Sequence, residues 1–187
     1  EAGKMQFYFA AIDLNTTVAS VIDELRSLSS DRRIEIVATL SQERTDVTAD
    51  GERLKQVVRN VVGNALKFSP PDSRIHIVCE KDERFARLRV LDEGPGIPDD
   101  ELNVVFDEFV QSSRTKTGAG GTGLGLPICR RIIEAHHGSI WAQNREERGC
   151  QFVFEIPLNL EHGQYDLAVT PGAHRDGEVE TDKVETL

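Results

Sequence analysis

The chain has 187 residues, 39% hydrophobic and 29% charged, which suffices for one substantial core and is too short for two ordinary domains. Asp+Glu number 32 against 22 Lys+Arg, a formal net charge of −10, and that balance argues against a nucleic-acid backbone as the principal ligand. Three cysteines without a CxxC pair (Cys79, Cys129, Cys150) support neither a disulfide framework nor a structural zinc site and fit a reducing cytosol, and no apolar run approaches the roughly 20 residues of a membrane span.

In chain order, Asp13 is placed to cap a helix carrying Leu14, Val18, Val21, Ile22, Leu25 and Leu28 on one face. Residues 33–39 alternate, with Ile34, Ile36 and Ala38 on one side, and predict a strand. A second helix is expected from the cap Asp50 to Phe68, stopped by Pro70-Pro71. Strands are predicted over 74–80 and 85–92, then a short helix near 99–109, a Gly-rich loop, and a helix over 124–137 closed by Gly138. Two strands, 139–144 and 150–158, turn through a polar loop at Gly149. The order lacks strict βαβ alternation, so the expected fold class is α+β, a two-layer sandwich of a mixed, largely antiparallel sheet covered on one face by helices. From Glu161 to Leu187 seven acidic residues stand against two basic ones, with few large apolar side chains. Such a stretch buries too little surface to offset its ordering entropy, and 161–187 reads as a disordered tail or linker.

Chemistry concentrates in three places. On the second helix, Asn60, Asn64 and Lys67 lie at i, i+4 and i+7, beside an apolar face of Leu54, Val57, Val58, Val61, Val62, Ala65 and Leu66. Two amides and an ammonium on one stripe suit a hard cation and phosphate oxygens, although an ordinary solvated helix face has the same pattern. Asp92-Glu93-Gly94-Pro95-Gly96-Ile97-Pro98 follows a strand whose buried side carries Ala86, Leu88 and Val90. Period two turns the Asp92 carboxylate toward the core, where it needs hydrogen-bond donors. The exocyclic amine of adenine suits it, the O6 of guanine does not, and a plain Asp/Gly turn is the alternative. The run Gly118 to Leu126 leads into a helix and offers backbone amides to phosphates. Its G-x-G-x-x-G spacing lacks the preceding strand of a dinucleotide-binding fold, and no Walker A lysine follows.

Together these segments resemble the catalytic ATP-binding domain of sensor histidine kinases, whose Bergerat-type fold is shared with gyrase B, Hsp90 and MutL. Asn60-Val61-Val62-Gly63-Asn64-Ala65-Leu66-Lys67-Phe68-Ser69 is similar to the N box, Asp92 to Ile97 to the G1 box, Phe106-Asp107-Glu108-Phe109 to the F box, and Gly121-Thr122-Gly123-Leu124-Gly125-Leu126 to the G2 box. The resemblance implies Mg²⁺ on Asn64, Asn60 at the same phosphate site, and Lys67 on phosphate. It implies adenine held by Asp92 and flanked by Gly94, Gly96 and Ile97. Amides of Gly121, Gly123 and Gly125 would meet the phosphates, with Thr122, Leu124 and Leu126 in the same loop. Phe106 and Phe109 would anchor a mobile lid of about residues 107–120, in which Arg114 and Lys116 are candidates for the γ-phosphate.

The resemblance further implies ATP and Mg²⁺ as cofactors and transfer of the γ-phosphoryl group to a His on the kinase's dimerisation domain, for relay to a response-regulator Asp. Hydrolysing relatives carry Glu where this chain has Asn60, which lacks a basic carboxylate. None of His76, His136, His137, His162 or His174 has the phosphoacceptor context. The expected organisation is a junction at 1–4, a catalytic domain at 5–160 and the tail, monomeric and cytoplasmic, without membrane contact by this segment. His136-His137-Gly138 departs from the family's usual His-Gly-Gly, placing a bulkier side chain in the turn. Three other readings remain: a nucleotide-binding regulatory module without phosphotransfer, an Hsp90- or gyrase-like ATPase, and a related kinase using a protein Ser acceptor.

Overall fold

The computed structural model describes residues 5–115 and 122–158. Strand β1 (Ala10–Asp13) leads into α1 (Leu14–Asp31), β2 (Glu35–Thr39), β3 (Asp46–Ala49), α2 (Gly51–Phe68), β4 (Arg74–Lys81) and β5 (Phe85–Leu91). Two 3₁₀ turns, α3 (Gly125–Ala135), β6 (Ser139–Asn144) and β7 (Cys150–Pro157) complete the order. The expected junction at 1–4 and the tail at 161–187 lie outside the described residues.

Five strands form one sheet in the order β2-β4-β5-β7-β6, parallel only between β2 and β4. Period two divides its faces. Ile75, Ile77 and Cys79 of β4, Ala86, Leu88 and Val90 of β5, and Phe152, Phe154 and Ile156 of β7 enter the core shared with the helices. All seven apolar residues of the α2 stripe are buried there. The opposite face is polar: Arg87 pairs with Glu155 at 2.9 Å and Arg89 with Glu80 at 3.2 Å. Val153 is buried on that face, between its cross-strand neighbours Arg89 and Trp141. This is the expected mixed, helix-covered α+β sandwich.

Caps set the helices where the sequence places them. The Asp13 carboxylate accepts from the Asn15 N–H and the Asp50 carboxylate from the Arg53 N–H, each satisfying a first-turn donor. α3 ends in a Schellman turn, with the His137 N–H on the Glu134 carbonyl and the Gly138 N–H on that of Ile133. His137 adopts φ +57 there, the left-handed conformation that glycine favours.

Several expectations are corrected. A second, two-stranded antiparallel sheet, β1 with β3, was not foreseen, because four-residue strands are too short to show alternation. The strand predicted over 33–39 begins at Glu35, since Arg33 has φ +54; Ile34 is buried ahead of it, and Ala38 is exposed on the edge strand. Leu28 is 40% exposed, because the last turn of α1 runs past the core. The short helix over 99–109 is two 3₁₀ turns, Asp99–Glu101 and Val104–Phe106. The last helix is shorter at both ends than 124–137.

Candidate functional site

A cavity of about 270 Å³ opens between α2, the loop after β5, the segment after the second 3₁₀ turn, and the start of α3. Because α2 buries its apolar stripe, the adjacent polar stripe reaches the cavity edge, and Asn64 and Lys67 line it. Among the described residues the Asn64 amide makes no hydrogen bond, whereas Lys67 lies 5.0 Å from the Phe68 ring centroid. Asn60 is turned away from the cavity: its Nδ2 donates to the Gly125 carbonyl at 3.3 Å and contacts Cys129 Sγ at 3.6 Å. It ties α2 to the first turn of α3.

Asp92 forms the deep end and is 5% exposed. Its Oδ1 accepts from the Gly94 N–H at 2.8 Å and the Cys150 N–H at 3.2 Å, which leaves Oδ2 for a ligand. Burial pushes its pKa above the ordinary carboxylate value, and those two N–H groups and Arg145 only partly offset this. Beside it, burial and the Asp92 charge push the Cys150 thiol up to about 12, so the wall it forms is chemically inert. Gly94 allows the turn, since a Cβ there would lie 2.9 Å from Asp92 Oδ1. Gly96, at φ +71, and Ile97 line the cavity directly.

Thr122, Gly123, Gly125 and Leu126 line the opposite edge, while Leu124 is the residue before α3 and does not. Gly121 and Lys116 lie outside the described residues. Phe106 is buried behind the wall, edge-on to Phe152 at 6.3 Å and covered by the Arg130 guanidinium 4.7 Å from its centroid. Phe109, by contrast, is 72% exposed with φ +64, and its N–H donates to the Gly123 carbonyl at 3.1 Å, joining the two sides of the Gly-rich segment. Arg114 donates to the Pro95 carbonyl at 2.9 Å.

Sequence reasoning missed the apolar walls: Phe68, Val105, Val110 and Phe152 line the cavity as an apolar slot. Their only sequence signal is hydrophobicity, which core packing explains equally well. It also missed Ser112, buried at the cavity. The lining thus combines an apolar slot, the buried Asp92 carboxylate with Oδ2 unengaged, and the Gly123 and Gly125 backbone at one edge. The free Asn64 amide oxygen fits one position of a Mg²⁺ whose other ligands are phosphate oxygens and water. Among the described residues no cluster of three or more His, Cys, Asp or Glu could hold a metal alone.

Residues 49–160 match the family described as histidine kinase-, DNA gyrase B-, and HSP90-like ATPase. The adaptive-response sensory kinase SasA of Synechococcus sp. (strain CC9311) is 35% identical over 154 residues, 82% of this chain and 40% of that protein. The chain therefore spans about two fifths of the length of the curated relatives it matches. The catalytic domain of histidine kinase ThkA superposes with a TM-score of 0.72 at 37% identity, covering 80% of this chain and 95% of that one. ThkA in complex with the response regulator protein TrrA gives 0.71 at 32%, covering 82% and 42%.

Proposed function

The chain belongs to the histidine kinase-, DNA gyrase B- and HSP90-like ATPase family, among the catalytic domains of histidine kinases, and from that premise we propose that it binds Mg-ATP and transfers the γ-phosphoryl group to a histidine on a separate dimerisation domain. The phosphoryl group then passes to an aspartate of a response-regulator receiver domain, a partner supported by the ThkA complex.

The observation that carries kinase over hydrolase is the lining itself. Among the described residues Asp92 is the cavity's only carboxylate, and no histidine lines it. Asp92 is engaged at the base end, and Asn60 has neither a basic carboxylate nor a place on the lining. Nothing described is positioned to activate water at the phosphates. An imidazole nitrogen supplied from outside needs alignment and charge stabilisation rather than a base in this pocket.

The residues divide the work by position. Asp92 Oδ2 accepts from the adenine 6-amino group while Phe152 and Val105 bound the ring. Asn64 would hold Mg²⁺, which supplies charge neutralisation at the phosphates, and Lys67 adds a point charge there. Backbone amides of Gly123 and Gly125, at the start of α3, meet the phosphate chain. With these contacts aligned, a bond forms from the acceptor nitrogen to the γ-phosphorus as the bond to the bridging oxygen breaks and ADP leaves.

Calorimetric titration with ATP and GTP, each with and without Mg²⁺, tests the site. ATP should bind over GTP, and Asp92→Ala should abolish the preference. A dimerisation domain added with Mg-ATP should acquire acid-labile phosphate. ATP binding without phosphorylation of that domain would favour a regulatory module, and multiple-turnover hydrolysis would favour an ATPase.

A further inference from the structure

An Asn at a strand end reads from sequence as a turn former, and Asn144 is the last residue of β6. Its side chain does something else. Oδ1 accepts from the Ile97 N–H at 2.9 Å, and Nδ2 donates to the Ile97 carbonyl at 2.6 Å and to Asp99 Oδ1 at 2.9 Å. A carboxamide bonded both ways to one residue's backbone imitates a strand partner and fixes that residue in both place and orientation. The next residue holds the loop's other end: Arg145 Nη1 donates to the Asp92 carbonyl at 2.7 Å. Packing is tight around both contacts. A Cβ on Gly96 would lie 2.9 Å from Asn144 Oδ1, and one on Gly149 would lie 2.0 Å from the Asp92 carbonyl oxygen.

The loop from Asp92 to Ile97 is thus gripped at its first and last residues by the last residue of β6 and the turn residue that follows it. Between those grips lie the Asp92 carboxylate and the cavity-lining Pro95 and Gly96, while neither Asn144 nor Arg145 lines the cavity. A shift of this loop moves the acceptor Oδ2 relative to the apolar slot, and a hydrogen bond weakens steeply as its geometry departs from ideal.

We propose that Asn144 and Arg145 are positioning residues for nucleotide selection: by clamping both ends of the loop they place the Asp92 carboxylate, and so set the preference for a purine bearing a 6-amino group. The inference rests on Asp92 being the partner of that amine. It goes beyond that reading by assigning the selectivity to two residues that do not touch the nucleotide.

The test is titration of the 187-residue chain, wild type and the Asn144→Ala and Arg145→Ala variants, with ATP and with purine riboside triphosphate. The second nucleotide has the same sugar and phosphates but lacks the 6-amino group. In Asn144→Ala, ATP affinity should fall about tenfold, the size expected when the single hydrogen bond between the displaced Asp92 carboxylate and the 6-amino group is weakened. The analogue should change little, so the ratio between the two collapses. Arg145→Ala should shrink the ratio in the same direction. Equal weakening of both nucleotides, or an unchanged ratio, would overturn the positioning role and leave the adenine site intact. A wild type without preference for ATP over the analogue would overturn the Asp92 reading itself, and this inference with it. Circular dichroism identifies a variant that fails to fold; should Asn144→Ala do so, the ratio in Arg145→Ala decides the matter.

Discussion

Asp92 shows how a binding residue can oppose the fold that carries it. Its carboxylate is buried beside Cys150 with only two N–H donors and a nearby guanidinium, and burial raises its pKa. The folded protein therefore holds the Asp92 proton more tightly than the unfolded chain does. The corresponding stability is fully present below the ordinary carboxylate range and is lost as pH rises through the raised folded value. At neutral pH the ionised form is a burden until a donor such as an adenine amine arrives. Asp92→Asn keeps an oxygen for the Gly94 and Cys150 N–H groups and removes the charge. It should raise the thermal midpoint of the nucleotide-free protein at neutral pH, by an amount that shrinks toward acid pH, while weakening ATP. A wild-type midpoint at or above the variant's at neutral pH would contradict this account.

At the scale of elements, α3 is tied at both ends. Its start is held to α2 by the Asn60 amide. At its end the fully buried His136 donates from Nδ1 to the Ile132 carbonyl at 2.7 Å and accepts from the Asp50 N–H at Nε2, at 2.9 Å. Both ring nitrogens are thereby committed to one neutral tautomer. Phe7 and Phe9 pack on the imidazole at 5.7 and 5.0 Å, and the Tyr8 N–H donates to Asp50 Oδ2 at 2.8 Å. His136 thus joins the leading segment, the cap of α2 and the end of α3. Burial lowers its pKa below 6.5. The stability this confers is present above the ordinary value and is lost as pH falls through the folded value. Urea denaturation across that window should show wild-type stability declining more steeply than that of His136→Gln. The variant should also be weaker at neutral pH by about 1–3 kcal/mol, because the buried Asp50 N–H loses a well-placed acceptor.

For the whole molecule, the cavity is assembled from segments distant in the chain, with α2, the loop after β5 and the start of α3 meeting only in the folded state. A ligand that binds this assembly and not the unfolded chain stabilises every part of it together. Mg-ATP at a hundred times its dissociation constant should add about 2.7 kcal/mol to the unfolding free energy. The whole cooperative transition should move to higher temperature, and GTP at the same concentration should leave it nearly in place. A shift limited to one phase, or equal for both nucleotides, would contradict a single adenine-selective site spanning these elements.

Local rules determined much of this protein. The caps Asp13 and Asp50, the apolar stripe of α2 and the alternation in β4, β5 and β7 are written in nearest-neighbour chemistry, so periodicity alone placed them and gave the helix-covered sheet. The same alternation turned Asp92 inward, and the spacing of Asn64 and Lys67 put both on the stripe that reaches the cavity. Tertiary structure alone decided the rest. The β1–β3 pairing is too short to carry a pattern, and the walls formed by Phe68, Val105 and Phe152 look like any core residues until a cavity opens beside them. Asn60 shares a helix stripe with Asn64, yet the approach of Gly125 and Cys129 draws its amide to α3 instead. Asn144 and Arg145 meet Ile97 and Asp92 across about fifty residues of chain. Local sequence carries no information about such a meeting, because the partners are chosen by how the sheet and its loops fold together.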